Sequence, residues 1–240
     1  MMKANGWSEI LADAYDALEE EYRRFLEEDE SYFPSQENYI NAFKTLPKER
    51  VKYILFGQDP YPRRESAGGY AFIDMKVQHL FAPSGLSKEV NRATSLRNFI
   101  KMALVASGRL DKEDTSQEAI QKLDKYDMIN SIEALRMNFE KNGVLLLNTA
   151  LIFTDKKSSA RHVKAWKPFM KKLLEGLKEQ RPTLILFGTH AKELKKAFHL
   201  DDFKTIELEH PYNHSFVTNP KAIDLFAPMA LLQSHTKEIL

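Results

Sequence analysis

Cysteine is absent from the 240 residues of the chain. Its absence excludes disulfide bonds, thiolate metal sites and cysteine nucleophiles, and it is consistent with a reducing cytosol. Long hydrophobic runs are missing as well: no stretch approaches the roughly 18 to 20 apolar residues of a membrane span, and the N-terminus lacks the apolar segment of a signal peptide. We therefore expect a soluble cytoplasmic protein that does not enter a membrane.

The chain also has almost no net charge, because 35 basic residues oppose 34 acidic ones. Overall charge therefore does not indicate a nucleic-acid partner. The distribution is uneven, however: residues 1–50 hold 12 acidic and 6 basic side chains, whereas residues 156–204 hold 13 basic and 5 acidic ones. This asymmetry is compatible with one phosphate-facing side, and ordinary solvated lysines on helices explain it equally well.

The hydrophobic content of 43% allows one sizeable core, and 240 residues leave little room for a second full domain. We expect a single domain over residues 1–240, with a helical region in residues 1–50. Between Trp7 and Phe25, apolar residues recur in steps of three and four, which predicts one amphipathic helix. Ser35 is the candidate N-cap of a further helix that ends at Phe43.

Short, continuous apolar runs predict buried strands. Three are strong and the last is weaker, and in chain order they are Val51–Phe56, Val144–Leu147, Leu184–Phe187 and Thr205–Leu208. Helical patterns between them predict an α/β fold with a central parallel four-stranded sheet flanked by helices on both faces. In such a sheet, ligand-binding groups gather in the loops that leave the carboxyl ends of the strands. The candidate loops begin at Gly57, Asn148, Gly188-Thr189-His190 and His210.

The loop after the first strand reads Gly57-Gln58-Asp59-Pro60-Tyr61-Pro62. Its two prolines restrict the backbone around the Asp59 carboxylate, as preorganised chemistry requires. A proline-rich turn in which Asp59 only caps another group is the alternative. Further along, Phe72 follows a pair of glycines and is able to stack on a base, although a single phenylalanine is more often a core residue.

Two other loops carry polar side chains directly after strands. Asn148 presents an amide donor and a carbonyl acceptor, which match the paired N–H and C=O edge of a pyrimidine. The alternative is a structural role, in which the Asn148 side chain hydrogen-bonds to the backbone of its own loop. The segment His210-Pro211-Tyr212-Asn213-His214-Ser215 crowds two histidines into one stiffened loop. Its proline and asparagine argue against the helix that would let both histidines bind one metal ion, so we expect no metal site.

Three ordered motifs in this chain resemble the uracil-DNA glycosylase family, in its uracil-specific branch. They are VKYILFGQDPYP at residues 51–62, GVLLLNTALIF at residues 143–153 and HPYNHS at residues 210–215. Phe72, fourteen residues beyond Gln58, and Trp166, eighteen beyond Asn148, also keep the family's spacing. The resemblance covers about residues 50–220 and leaves the acidic N-terminal region without a motif.

The resemblance implies an enzyme that hydrolyses the N-glycosidic bond between uracil and deoxyribose in DNA and leaves an abasic site. It implies that Asp59 activates the attacking water and that His210 donates a hydrogen bond to uracil O2. These roles suit the chemistry, because the reaction builds positive charge on the sugar and negative charge on the departing base. For the uracil pocket, the resemblance implies that Gln58 shapes the site through its backbone and neighbours, that Tyr61 excludes the thymine methyl group, that Phe72 stacks on the flipped base and that Asn148 binds O4 and N3–H. No cofactor enters this scheme.

The resemblance further implies a set of DNA contacts, made by Ser95, Gly188, Thr189, His214 and Ser215. The partner is uracil-containing DNA, single- or double-stranded, and we expect the protein to be a monomer. Because a stacked base must be flipped out before it is cut, single-stranded or mismatched uracil is favoured.

The chain departs from the family pattern at two informative positions. Pro62 stands where the family usually has a histidine, so any contact from that side chain is lost. His214 stands where the family has a leucine that wedges into the duplex, and an imidazole is a weaker wedge. Phe216 is a candidate substitute, and ordinary packing within its loop explains it equally well.

Two other functions stay open from the sequence. A glycosylase with an altered base range is motivated by the departures at Pro62 and His214, although Tyr61 argues against thymine. A non-catalytic module that recognises uracil or flipped bases in DNA would need the pocket but not both Asp59 and His210. A turnover assay separates these hypotheses.

Overall fold

The computed structural model of the protein describes residues 5–234, apart from the side chains of residues 190 and 191. Its α-helices are α1 (Ser8–Asp16), α2 (Glu20–Glu28), α3 (Asn41–Thr45), α4 (Lys88–Arg92), α5 (Thr94–Ala106), α6 (Gln117–Gln121), α7 (Ile132–Lys141), α8 (Ser159–Ala165), α9 (Lys167–Gly176), α10 (His190–Ala197) and α11 (Pro220–Phe226). The strands are β1 (Tyr53–Gly57), β2 (Phe81–Ala82), β3 (Gly85–Leu86), β4 (Val144–Asn148), β5 (Thr183–Phe187) and β6 (Thr205–Leu208). Short 3-10 helices cover Lys48–Arg50, His214–Thr218 and Ala227–Met229.

Contacts between residues divide the chain into two compact units. Among the described residues, the first unit contains residues 5–74 and Gly143–Glu207, and the second contains Met75–Asn142 and residues 208–234. The expectation of a single domain stays a prediction. Among the described helices, none is long and apolar enough to cross a membrane.

The first unit is built on a sheet with the strand order β4–β1–β5–β6. β1 runs parallel to β4 and to β5, and Gly57 pairs with Asn148 where β1 and β4 end. Every residue of β4 is buried; because alternate side chains of a strand point to opposite faces, both faces of β4 are covered. The predicted α/β fold with a parallel four-stranded sheet and flanking helices is confirmed.

The prediction of one helix over Trp7–Phe25 is wrong. α1 ends at Asp16 and α2 begins at Glu20, with a turn between them. Leu18 lies in this turn and is itself buried. Apolar residues therefore recur at helical spacing through the turn between α1 and α2, so the sequence pattern does not show where one helix ends and the next begins.

The helix predicted to begin at Ser35 is wrong as well. The Ser35 carbonyl accepts hydrogen bonds from the N–H groups of Asn38 and Tyr39 in a series of turns. α3 begins only at Asn41 and continues past Phe43. Serine and asparagine serve turns as readily as helix N-caps, so the sequence does not distinguish the two.

Aromatic side chains from the N-terminal helices belong to the core of the first unit. Trp7 is fully buried against Phe43, with ring centroids 5.0 Å apart, and its Nε1–H donates to the Leu46 carbonyl at 2.7 Å. Trp166 packs edge-on against Phe169 at the same separation of 5.0 Å. The acidic N-terminal region, which carries no motif, is therefore part of this fold.

The second unit has its own aromatic core, centred on Phe99 of α5. The Phe99 ring lies 5.0 Å from that of Phe226 in α11 and stacks on Phe216 at 6.2 Å. Phe216 is completely buried. Packing of the loop is thus the correct interpretation of Phe216, and its candidacy as a DNA wedge is wrong for this conformation, because a wedge must be exposed before it meets the duplex.

Candidate active site

The loop after β1 holds Asp59 half-buried, and its carboxylate is bound by a side chain from elsewhere in the first unit. Its Oδ2 accepts a hydrogen bond from the hydroxyl group of Ser159, the first residue of α8. Asp59 therefore does not cap its own loop. Within residues 5–234, no three His, Asp or Glu side chains are grouped so as to hold a metal ion, so this carboxylate is not part of a described metal cluster.

The loop after β1 is tied to the loop after β4 through Gln58. The Gln58 carbonyl accepts hydrogen bonds from the Ala150 N–H at 2.9 Å and from the Thr149 hydroxyl at 2.8 Å. The Gln58 side chain itself is exposed. The contacts that Gln58 makes with the loop after β4 are therefore made by its backbone; its role in shaping a pocket stays a prediction.

Asn148 ends β4 and is only 6% exposed. Nevertheless, no group in residues 5–234 makes a hydrogen bond to its side-chain amide. The amide lies directly against Gly57, since a Cβ atom added at Gly57 would come within 2.2 Å of Asn148 Oδ1. Its amide atoms nevertheless keep contact with solvent, since the buried side-chain atoms that lack a partner within residues 5–234 belong to Ser8, Ser66, Asn98 and Trp166. An amide that bonds no protein group does not hold its own loop together, and both its donor and its acceptor are available to a ligand.

Phe72 and Tyr61 form a linked pair of aromatic residues in the first unit. Phe72 has a φ of +68°, a left-handed backbone that residues other than glycine adopt rarely and that is concentrated at functional sites. Its ring is half-buried, 6.3 Å from that of Phe187 at the end of β5. The Tyr61 hydroxyl donates to the Phe72 carbonyl at 3.2 Å. Burial, together with the negative charge of Asp74, raises the pKa of Tyr61, so its phenol stays protonated.

In the second unit, His210 is exposed and the hydrogen bonds of its loop define its tautomer. The backbone N–H of Tyr212 donates to His210 Nδ1 at 3.0 Å. A ring nitrogen that accepts a hydrogen bond carries no proton, so the proton of the neutral ring lies on Nε2.

A buried asparagine supports this loop, and the sequence analysis missed it. Asn98 in α5 is 1% exposed, and its Nδ2 donates to the carbonyl groups of Pro211, Tyr212 and Asn213 at 2.8, 3.2 and 3.3 Å. The backbone next to His210 is thereby fixed. Asn98 follows no strand and belongs to no motif used above, so no local signal marks it.

The predicted DNA-contacting residues occupy loop and helix-start positions in both units. Gly188 and Thr189 directly follow β5; Gly188 has a φ of +58° and Thr189 is exposed. The side chain of His190, the third residue of that predicted loop, lies outside the described part of the structure. In the second unit, Ser95 is half-buried in the first turn of α5, and His214 is exposed at the start of a 3-10 helix.

Ser215, next to His214, has its hydroxyl proton engaged within the second unit. It donates to Glu209 Oε2 at 2.5 Å, while Glu209 Oε1 accepts from Asn219 at 2.8 Å. Glu209 thus braces the 3-10 helix. A phosphate near Ser215 would meet its backbone N–H rather than the proton of its hydroxyl group.

Comparisons with known proteins bear on this arrangement. The family model described as "Uracil DNA glycosylase superfamily" matches residues 43–237. A crystal structure of wild-type UNG from Nitratifractor salsuginis is 54% identical, with a TM-score of 0.94, covering 97% of this chain and 95% of that one. A uracil-DNA glycosylase of Fusobacterium nucleatum is 27% identical over 219 residues, which cover 86% of this chain and 80% of the relative. The crystal structure of mimivirus uracil-DNA glycosylase is 19% identical with a TM-score of 0.55, covering 88% of this chain and 71% of that one, and it is similar in fold alone.

Proposed function

The chain belongs to the uracil DNA glycosylase superfamily, and we propose that it removes uracil from DNA by hydrolysing the bond between uracil N1 and C1′ of the deoxyribose. Water supplies the hydroxyl group that ends on C1′, so the products are free uracil and an abasic site. The observation that carries the proposal is the Asn148 amide, which lies at the end of β4 and bonds no group in residues 5–234. An amide at the carboxyl end of a parallel strand that bonds no protein group is available to a ligand, and ligands of such sheets bind at that end.

The Asn148 amide matches one edge of uracil. Its Nδ2–H groups donate to O4 and its Oδ1 accepts from N3–H, which leaves both halves of the amide satisfied. Tyr61 stands beside C5 and excludes a methyl group there, and Phe72 stacks on the base. The hydrogen bond between the Tyr61 hydroxyl and the Phe72 carbonyl keeps these two aromatic residues in a fixed relation. Gln58 shapes the pocket through its backbone.

Asp59 orients the attacking water and stabilises the sugar as positive charge develops on it. Its carboxylate forms no ion pair with any residue from 5 to 234, so the protein does not neutralise the charge that this role requires.

His210 acts on the departing base. Because Nδ1 accepts the Tyr212 N–H, the neutral ring presents Nε2–H as its donor. This donor stabilises the negative charge that builds on uracil O2 as the glycosidic bond breaks, and it does so without a protonated imidazole.

The DNA backbone is bound by Ser95, Gly188, Thr189, His214 and Ser215. Gly188 and Ser215 contribute backbone N–H groups, which are common ligands of phosphate oxygens, and Thr189 contributes an exposed hydroxyl. His214 is the exposed side chain that stacks against neighbouring bases. We place the protein in the cytoplasm as a monomer that accepts uracil in single- or double-stranded DNA.

A turnover assay tests the proposal. Purified protein in EDTA is incubated with a single-stranded oligonucleotide that carries one uracil, beside a thymine control, and abasic sites are then cleaved with alkali. We expect strand breakage only with uracil, and sharply lower single-turnover rates for Asp59→Asn and His210→Leu with unchanged folding. Full rates in both variants would refute these assignments.

The same assay separates the enzyme from a module that only binds flipped bases. Preferential binding of the uracil oligonucleotide without any cleavage would establish the binding module. Excision of hypoxanthine or damaged pyrimidines beside uracil would establish an altered base range.

A further inference from the structure

A serine outside the three sequence motifs holds the carboxylate of Asp59. Ser159 lies 100 residues further along the chain, yet its hydroxyl donates to Asp59 Oδ2. Both residues are half-buried. Within residues 5–234, Oδ1 of the same carboxylate accepts no hydrogen bond. The two oxygens of Asp59 are therefore in different environments, one bound by the protein and one available to a ligand.

The start of α8, which carries Ser159, is fixed on both sides. The Asp155 carboxylate accepts hydrogen bonds from the backbone N–H of Ser158 at 3.1 Å and from its hydroxyl at 2.9 Å. One turn further, His162 is 3% exposed and is held between the Tyr22 hydroxyl at 2.7 Å and the Thr154 hydroxyl at 2.9 Å. Ser159 thus donates from a rigid element, as a residue that orients another side chain must.

The loop of Asp59 offers few donors of its own. Pro62 has neither a backbone N–H nor a polar side chain. Arg64 is turned to other partners, since its guanidinium donates to the carbonyl groups of Glu30 and Ser31 at 3.3 and 3.4 Å and lies over the Phe33 ring. In this structure the side-chain donor to the carboxylate comes from another element, α8.

We propose that Ser159 is a positioning residue for the hydrolysis described above: its hydroxyl fixes Oδ2 of Asp59, so that Oδ1 faces the attacking water. The inference rests on the proposed function. An aspartate side chain rotates easily about its last bond, and one charge-assisted hydrogen bond removes that freedom. Ser159 itself touches neither water nor substrate in this role.

The test compares Ser159→Ala with two matched variants in single-turnover excision of uracil from single-stranded DNA. Loss of the hydroxyl should lower the excision rate by about ten- to a hundredfold, because small misplacements of a reacting group have effects of that size. The half-saturating DNA concentration and the melting temperature should stay those of the wild type. Ser159→Thr keeps the hydroxyl and should restore most of the rate. Ser158→Ala removes a neighbouring hydroxyl but keeps the backbone N–H bond from residue 158 to Asp155, so the start of α8 stays in place and the variant should lose far less activity than Ser159→Ala.

A double variant shows whether Ser159 acts through Asp59. In an Asp59→Asn background, Ser159→Ala should cause no further loss, because the group that it positions is already gone. A wild-type rate in Ser159→Ala, a weakened DNA affinity as its main effect, or an additional loss in the double variant would each overturn the inference. If the wild-type protein excises uracil and Asp59→Asn does not, these outcomes count against Ser159 alone; a wild-type protein without excision counts against the proposed function.

Discussion

Two asparagines in different units, Asn98 and Asn148, are both almost fully buried, at 1% and 6% exposure. Asn98 donates its amide hydrogens to carbonyl groups at residues 211–213 and so fixes the backbone next to His210. The Asn148 amide is bonded to nothing in residues 5–234. The amide nitrogen of Asn98 therefore stabilises the fold, although Asn98 Oδ1 is buried and has no partner within residues 5–234. Asn148 contributes no internal hydrogen bond from its side chain. We therefore expect the same residue type at similar burial to serve folding in one place and recognition in the other.

Replacing Asn148 by alanine should have the largest effect on activity. The variant loses the hydrogen bonds to uracil, and removal of one such preorganised group lowers rates by about 10²- to 10³-fold. Its free energy of unfolding should stay close to that of the wild type, because no internal hydrogen bond is lost. Single-turnover excision and urea unfolding measure the two quantities. A destabilised variant with full activity would show that Asn148 is a structural asparagine like Asn98.

Gly57→Ala tests whether the Asn148 amide must occupy its present position. The added methyl would lie within 2.2 Å of Asn148 Oδ1 and 3.1 Å of Ala71 Cβ, so the amide has to move. We expect excision to fall by about a hundredfold, as for other displacements of a binding group.

The control for Gly57→Ala is Gly108→Ala in the second unit. A Cβ at Gly108 meets no atom within 4 Å, although its φ of +69° is unfavourable for alanine. This control should lose about 1–2 kcal/mol of stability and no activity. Equal excision by the two variants would mean that the position of the amide does not matter.

Asn98→Ala should show the opposite balance from Asn148→Ala. Three carbonyl groups lose their buried donor, which should lower the free energy of unfolding by about 1–3 kcal/mol. The rate of uracil excision should fall less than in Asn148→Ala, because Asn98 bonds only to the backbone next to His210 and has no proposed contact with uracil. Urea unfolding is the decisive measurement. If Asn98→Ala were as stable as the wild type, water would replace the amide at no cost, and Asn98 would not be needed to hold the loop at residues 211–213.

These residues also show what a single sequence reveals and what it does not. The positions of Asn148 and Asp59 at or just after strand ends were predictable, because each follows a continuous apolar run and such runs mark buried strands whatever surrounds them. Asn98 and Ser159 were not, because each lies on a helix and bonds to groups about 100 residues away or more. Pairings of that kind depend on how the elements pack, which periodicity does not encode. The break between α1 and α2 was hidden for a similar reason, since Leu18 stays buried on both interpretations.

The last prediction contrasts two histidines, and its expected effect is the smallest. His162 is buried in the first unit with both ring nitrogens hydrogen-bonded, whereas His210 is exposed. Burial lowers the pKa of His162, and Arg161 adds to this, while Asp155 and Asp59 oppose it. The unfolded chain, with a histidine pKa of about 6.5, then binds the proton more readily than the folded one. Stability should therefore fall as the pH drops below about 6.5.

His162→Gln removes this titration while keeping a group that hydrogen-bonds. We expect its free energy of unfolding, measured in urea between pH 7.5 and 5.5, to depend less steeply on pH than that of the wild type. The comparison uses slopes rather than absolute stabilities, because the substitution also changes packing beside Tyr22 and Thr154. Identical slopes would mean that His162 takes up its proton equally well in the folded chain. In that case the hydrogen bonds on both sides of the ring would not keep it neutral, and α8 would hold Ser159 in place with a charged imidazole.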